Sequence, residues 1–244
     1  MCLIALAYKA HPRFPLIVAA NRDEFMDRPT EPAHWWKEAP GIFAGSDKRA
    51  GGTWMGINRR GRFAAITNYR QMQMQFPAGP SRGQLVREAL EHDIDPGSTN
   101  VYAGFNLIYG TLGQLRYHNN INGEDIALTP GIHGLSNNLL DVPWPKVVKA
   151  TTQLAHWVQQ PDEQLAEGLF TLLSDDTPAP DNQLPNTGLP LEAERAASPI
   201  LIRTSIGYGT RCSTVLLVNA KDEVFFEERA MPDGMAVTER FPIG

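Results

Sequence analysis

Short apolar runs separated by polar or glycine-rich breaks dominate the first half of the chain. Residues 2–8 and 16–21 read as two strands, and so do 54–58 and 62–68. The last two are joined by Arg59-Arg60-Gly61, where a hairpin needs glycine for a positive φ. Strands are also predicted at 105–109, 115–118 and 133–135, with Gly110 to Gly113 as the turn between the first two. The period changes at 81–92, where Leu85, Ala89 and Leu90 fall on one helical face behind Ser81, a plausible N-cap. Two further helical patterns, 145–160 and 162–174, break at Pro161, with Leu165, Leu169, Leu172 and Leu173 on one face of the second.

Residues 175–199 hold five prolines among Asp, Asn and Gly, which predicts an extended surface loop. Strands resume at 200–202, 210–218 and 224–228. Strands flanked by helical groups suggest α+β layering of helices on sheets, and 244 residues without an internal repeat fit one domain spanning 1–244.

Composition narrows the function. Hydrophobic residues at 42% and charged residues at 20% describe a chain that can bury a core. A net charge of -5 offers no basic field for nucleic acid. No apolar run approaches the roughly 18 residues that span a bilayer, so no integral membrane segment is expected. The opening MCLIALAYKAHP lacks a basic n-region and a cleavage site, and reads as a buried strand rather than a signal peptide. Two cysteines, Cys2 and Cys212, make neither a disulfide framework nor a zinc spacing, which suits a reducing cytoplasm.

Cys2 carries the sharpest chemistry. Removal of Met1 would leave a thiol and a free α-amino group on one residue, and such an amine, titrating near about 8, can take the thiol proton directly or through one water. Against this stands the ordinary reading of Cys2 as a small apolar residue in a strand. Asn21-Arg22-Asp23-Glu24 ends the second apolar run, where a hairpin would bring it beside Cys2. A guanidinium there would favour thiolate and a carboxylate would hold the amine, although a salt-bridged turn has the same composition. Gly51-Gly52-Thr53-Trp54 permits close backbone approach, lacks the residues of a phosphate-binding loop, and is equally a tight turn or bulge.

Met1-Cys2, NRDEF at 21–25, AGGTWMGI at 50–57, GRFAAITNYR at 61–70, GLSNN at 134–138 and YGTRCSTVLLV at 208–218 together resemble the NRDE family, that of the Transport and Golgi organisation protein 2 homologue. That family is in turn similar to the cysteine N-terminal-nucleophile hydrolases, such as penicillin V acylase, bile salt hydrolase and acid ceramidase. The resemblance implies a four-layer αββα sandwich. It also implies Cys2 as nucleophile, Arg22 and Asp23 as its charged neighbours, Asn137 as an oxyanion donor and Arg211 as a late arginine near the nucleophile; Asn68, at the end of a predicted strand and in no fixed motif, is the candidate for a second oxyanion contact.

The implied activity is hydrolysis of a small or lipid-like amide through an acyl-thioester, with no metal and no cofactor. The alternative implied by the family is a non-catalytic carrier of haem or an acyl ligand in the same pocket. Trp35, Trp36, Trp54, Tyr69 and Phe76 are the aromatic candidates to line it, although core packing is their commoner fate. His11, Cys2 and Cys212 are the conceivable haem ligands, without a haem-attachment motif.

Overall fold

A computed structural model describes residues 2–244, so the expectation concerning Met1 lies outside the described residues. Strands β1 (Cys2–Tyr8) and β2 (Leu16–Phe25) form the predicted hairpin, and β2 continues through the whole of NRDEF rather than stopping at Asn21. They lie in a six-stranded antiparallel sheet with β10 (Gly131–Leu135), β11 (Tyr208–Val218), β12 (Glu223–Ala230) and β13 (Ala236–Pro242), in the order β10-β1-β2-β11-β12-β13. A second, seven-stranded sheet runs in sequence order. It comprises β3 (Thr30–Trp35), β4 (Ile42–Asp47), β5 (Met55–Asn58), β6 (Arg62–Asn68), β7 (Phe105–Thr111), β8 (Gln114–Asn119) and β9 (Asp125–Ala127).

Alternation along each strand sorts the side chains between two cores. Ile4, Leu6, Leu16 and Val18 meet Phe43, Ile57, Phe63 and Ile108 between the sheets. Leu3, Ala5, Ile17 and Ala19 face the other way, against α2 (Pro145–Trp157) and α3 (Asp162–Leu173), through Val147, Leu154, Leu165 and Leu169. A third core joins the outer face of the second sheet to α1 (Arg82–Glu91), with Leu85, Val86, Ala89 and Leu90 on Ala64, Phe105 and Leu107. Three cores between four layers make the αββα sandwich that the sequence resemblance implies. The helices also fall where their apolar periods placed them, with Ser81 capping α1 by accepting from Gly83 N–H at 3.3 Å.

Four strands escaped the hydrophobic pattern: β3, β4, β13 and the three-residue β9, which forms only an edge of the second sheet. In β3 (TEPAHW), Pro32 and the charged and half-exposed positions of an edge strand hide the alternation. In β4 (IFAGSD), Gly45 weakens it for a packing reason, since a Cβ there would stand 2.2 Å from the Trp54 ring. β13 alternates weakly because only Phe241 of its apolar residues is buried.

Two expectations need correction. Residues 200–202 form no ladder strand; they are a buried extended segment fixed by Leu201 N–H donating to Asp175 O, Thr210 N–H to Ile202 O and Ile202 N–H to the Thr210 hydroxyl. The span 175–199 is not an open loop but carries a short helix, α4 (Leu191–Ala196), whose buried Glu194 pairs with Arg70 at 2.8 Å and accepts from Thr187 N–H at 2.9 Å. Proline starts that helix rather than preventing it, because Pro190 stands outside its first turn.

Gly52 is required for a different reason from the turn glycines. A Cβ on it would lie 2.2 Å from the Gly83 carbonyl carbon, where the chain entering β5 crosses the first turn of α1 and Thr53 N–H donates to Gly83 O at 3.1 Å. Both partners are backbone, so neither yields cheaply. Gly52→Ala is expected to destabilise the fold by about 1–3 kcal/mol, the usual cost of overpacking, read as a lowered midpoint in urea.

Candidate active site

The site forms where β1 begins. Cys2 pairs with Arg22 of β2, and Arg22 pairs on its other side with Cys212 of β11, so the three side chains share the face between the sheets. Asp23, one residue on, turns to the helical face, together with Asn21. NRDE is therefore split between two environments. Asn21 is buried and donates to Leu173 O and Ile200 O at 2.9 Å each while accepting from the Ser213 hydroxyl at 2.7 Å, which ties the strand to the segment after α3.

Cys2, Arg22, Glu24, Trp54, Asn68 and Arg82 line a pocket of about 110 Å³, together with Asp23, Arg28, Asp47, Thr53, Ile66, Ser81 and Gly83. Larger grooves of about 580, 750 and 610 Å³ lie elsewhere, but none is lined by a cysteine. The Arg22 guanidinium stacks 4.2 Å from the centroid of Trp54. Gly45 leaves room for the benzene end of that ring, so the AGGTW segment and β4 together hold an aromatic plate against the arginine. Arg28 places two nitrogens on one Asp47 oxygen at 2.6 and 2.9 Å and stands 3.7 Å from Glu24.

On the helical face Asp23 is buried and its carboxyl is raised above the usual carboxylate range by burial, which outweighs the opposing field of Lys146 and the Thr210 hydroxyl donating at 2.7 Å. Lys146, in the first turn of α2, is itself buried and donates to Ala197 O at 3.1 Å. Burial pulls its ammonium down to about 8 against the opposing field of Asp23. Thr210 reaches Asp23 only because β11 carries one extra residue, Arg211, between Thr210 and Cys212; that bulge flips Thr210 from the inter-sheet face to the helical one.

Cys212 differs from Cys2. It is buried, its thiol donates to Glu228 at 3.5 Å, and burial together with that carboxylate pushes its pKa well up, which keeps it a thiol.

The structure thus brings Cys2, Arg22, Asp23, Asn68 and Trp54 together. It places Asn137 behind the wall, fully buried, with its side-chain amide donating to Asn68 O at 2.8 Å. Arg211 points away along the bulge and donates to the carbonyls of Phe25, Met26 and Arg28, clamping the exit of β2. Trp35 packs on Phe43 and Phe241 between the sheets. Trp36 is buried beside α1 and donates to Ala44 O at 3.1 Å. Phe76 lies against Gly104, and Tyr69 is tied by its backbone N–H to Gly104 O at 2.9 Å.

Lys146, Thr210 and Arg82 were missed. Lys146 reads as a surface residue of an amphipathic helix, and the bulge that turns Thr210 inward leaves no mark in the apolar pattern. Arg82 follows Ser81 at a helix start and carried the one available signal.

The model of the Transport and Golgi organisation 2 family matches residues 1–233. The chain belongs to that family. It is similar to the Transport and Golgi organization 2 homologs of Mus musculus, at 36% identity over 260 residues, and of Homo sapiens, at 35% over 264. Each alignment covers 96% of this chain and 94% of the relative. Among solved structures it resembles a Caenorhabditis elegans N-acylethanolamine-hydrolyzing acid amidase ortholog, with a TM-score of 0.50 at 12% identity, over 88% of this chain and 92% of that one. The family member thus has the αββα architecture of the N-terminal-nucleophile hydrolases. No helix of the described residues is long and apolar enough to cross a membrane.

For Lys146 the sign of the pH effect follows from a folded-state value of about 8 below the ordinary lysine value of 10.5. Between those values the unfolded chain binds more protons, so stability rises with pH across that window. Urea midpoints measured at intervals from below that window to its upper end should rise more steeply for the wild type than for Lys146→Met.

Proposed function

We propose that this protein is a cysteine amidohydrolase that cleaves a small N-acyl amide through an acyl-thioester on Cys2. The observation that carries this reading is the register pairing Cys2 with Arg22 at the wall of a polar pocket. Once Met1 is removed, the α-amino group takes the thiol proton, and sulfur attacks the amide carbonyl to give a tetrahedral oxyanion. Collapse expels the amine, which leaves with that proton, and water then hydrolyses the thioester to the acid and the free thiol.

Arg22, fixed on Trp54, faces the developing negative charge beside sulfur. Asp23, held by Thr210 and Lys146 on the other face of the strand, is placed to hold the amino group. Asn68, at the end of β6, supplies an oxyanion donor from the pocket wall, and Asn137 fixes its backbone carbonyl from behind. Arg211 serves this centre indirectly, by holding residues 25–28 at the exit of β2.

The carrier reading has weaker support. A pocket of about 110 Å³ lined by arginines and carboxylates is well below the roughly 300–1,000 Å³ of apolar ligand sites. His11 lies beyond Tyr8, which is itself six steps of about 3.3 Å along β1 from Cys2, so the two do not share a haem. Both cysteines are free thiols, in keeping with a cytoplasmic protein.

A panel of N-acyl amides assayed with wild type and Cys2→Ala tests the reading. Turnover by the wild type should fall to background in Cys2→Ala, with an acyl adduct on the wild type visible by intact mass. Asn68→Ala should lower kcat about 10²–10³-fold. Retention of Met1 in the native protein, read from the same mass spectrum, removes the amine base and defeats the mechanism.

A further inference from the structure

The pocket wall holds three arginines and three carboxylates, Asp23, Glu24 and Asp47, but they are not paired one to one. Arg28 is taken up by Asp47 and Glu24, and Lys146 lies opposite Asp23 on the other face of the sheet. Arg22, only 6% exposed, makes no hydrogen bond and no ion pair with any described residue, and its guanidinium stacks on the Trp54 ring. Glu228 feels the charge of Arg22 but makes no direct contact with it; its carboxylate oxygens accept from Ala33 N–H at 2.9 Å and from the Cys212 thiol. Arg82 likewise makes no direct ion pair among the described residues, although the charge of Glu24 acts on it across the pocket; its single hydrogen bond is to Gly104 O at 2.9 Å.

Two guanidinium groups therefore face one thiol across a pocket whose wall also includes the first turn of α1, at Ser81, Arg82 and Gly83. A buried guanidinium without an acceptor is costly unless an anion completes it, and a helix N-terminus adds its positive end to the same place. Neither guanidinium has a carboxylate within ion-pair distance among the described residues, so N–H donors of both remain for a ligand in the pocket.

We propose that Arg82, with Arg22 and the N-terminal turn of α1, forms a subsite for a compact oxyanion, a carboxylate or a phosphate, adjoining Cys2. The amide substrate accordingly carries a negative group close to the scissile bond. This last clause rests on the hydrolase reading, whereas the subsite itself does not. The planar fork of arginine suits either anion through paired N–H donors.

The test uses the full chain with N-acetylglycine, its neutral counterpart N-acetylglycinamide, and inorganic phosphate, with affinities measured by calorimetry. N-acetylglycine should bind at least about tenfold more tightly than the neutral amide, and the margin should shrink as salt is raised from about 50 to about 500 mM. Arg82→Met should bring the ratio close to one, and Arg82→Lys should restore part of it, since charge returns without the fork. The lysine variant decides the matter if the methionine variant fails to give a normal thermal melt.

Phosphate displacing N-acetylglycine supports the subsite and identifies phosphoryl groups as a source, while a bound carboxylate that phosphate does not displace supports it with carboxylates as the source. Equal binding of acid and amide, or a preference that survives Arg82→Met, overturns the subsite. Anion preference without turnover of any amide defeats the hydrolase reading alone, and turnover with equal kcat/KM for charged and neutral amides defeats the subsite alone.

Discussion

Charge buried at one end of an otherwise apolar sandwich is the constraint around which this structure is arranged. Arg22, Asp23, Lys146, Glu194 and Glu228 are all nearly inaccessible, and Arg70 joins them through Glu194. Each such group is costly to remove from water unless a donor, an acceptor or an opposite charge replaces the solvent. Thr210 for Asp23, Ala197 O for Lys146, Thr187 and Arg70 for Glu194, and Ala33 N–H for Glu228 are those replacements. They come from β11, the segment after α4, the approach to α4 and β3, so that one polar end draws distant parts of the chain together.

This requirement accounts for features that look like irregularities. The β11 bulge sends Thr210 to the helical face while leaving Cys212 beside Arg22. The short helix α4 brings Glu194 under Arg70, whose guanidinium also stacks 4.8 Å from Trp144. The crossing of Gly52 and Gly83 sets the start of α1 against the pocket wall, with backbone in contact with backbone. A candidate site built this way is preorganised, since its charged groups are oriented by packing and hydrogen bonds before any ligand arrives.

Within the sequence, the fold was legible wherever apolar period and turn chemistry agreed. β1, β6 and the three longer helices follow their patterns closely, and Gly61 takes the positive φ of 71° that its hairpin needs. Of the four edge strands, β3, β9 and β13 were not legible, because they have little to bury on their outer sides, whereas β10 was read at 133–135. Of the site, Cys2, Arg22 and Asp23 were legible through their words and the β1–β2 hairpin. Arg211 and Asn137 stand in equally suggestive words, but their side chains reach elsewhere, one donating to the carbonyls of Phe25, Met26 and Arg28 and one to Asn68 O, and side-chain direction is not written in those words.

By itself the sequence determined the two-residue alternation of β1 and β2, the three amphipathic helices and the pairing of Cys2 with NRDE, because these depend on neighbours along the chain or across one tight hairpin. Tertiary structure decided which charges would be buried together. Lys146 lies 123 positions from Asp23 and Arg82 lies 60 from Arg22, separations read directly from their numbers. No local pattern reports such meetings, since they depend on how four layers stack and on a single extra residue in β11.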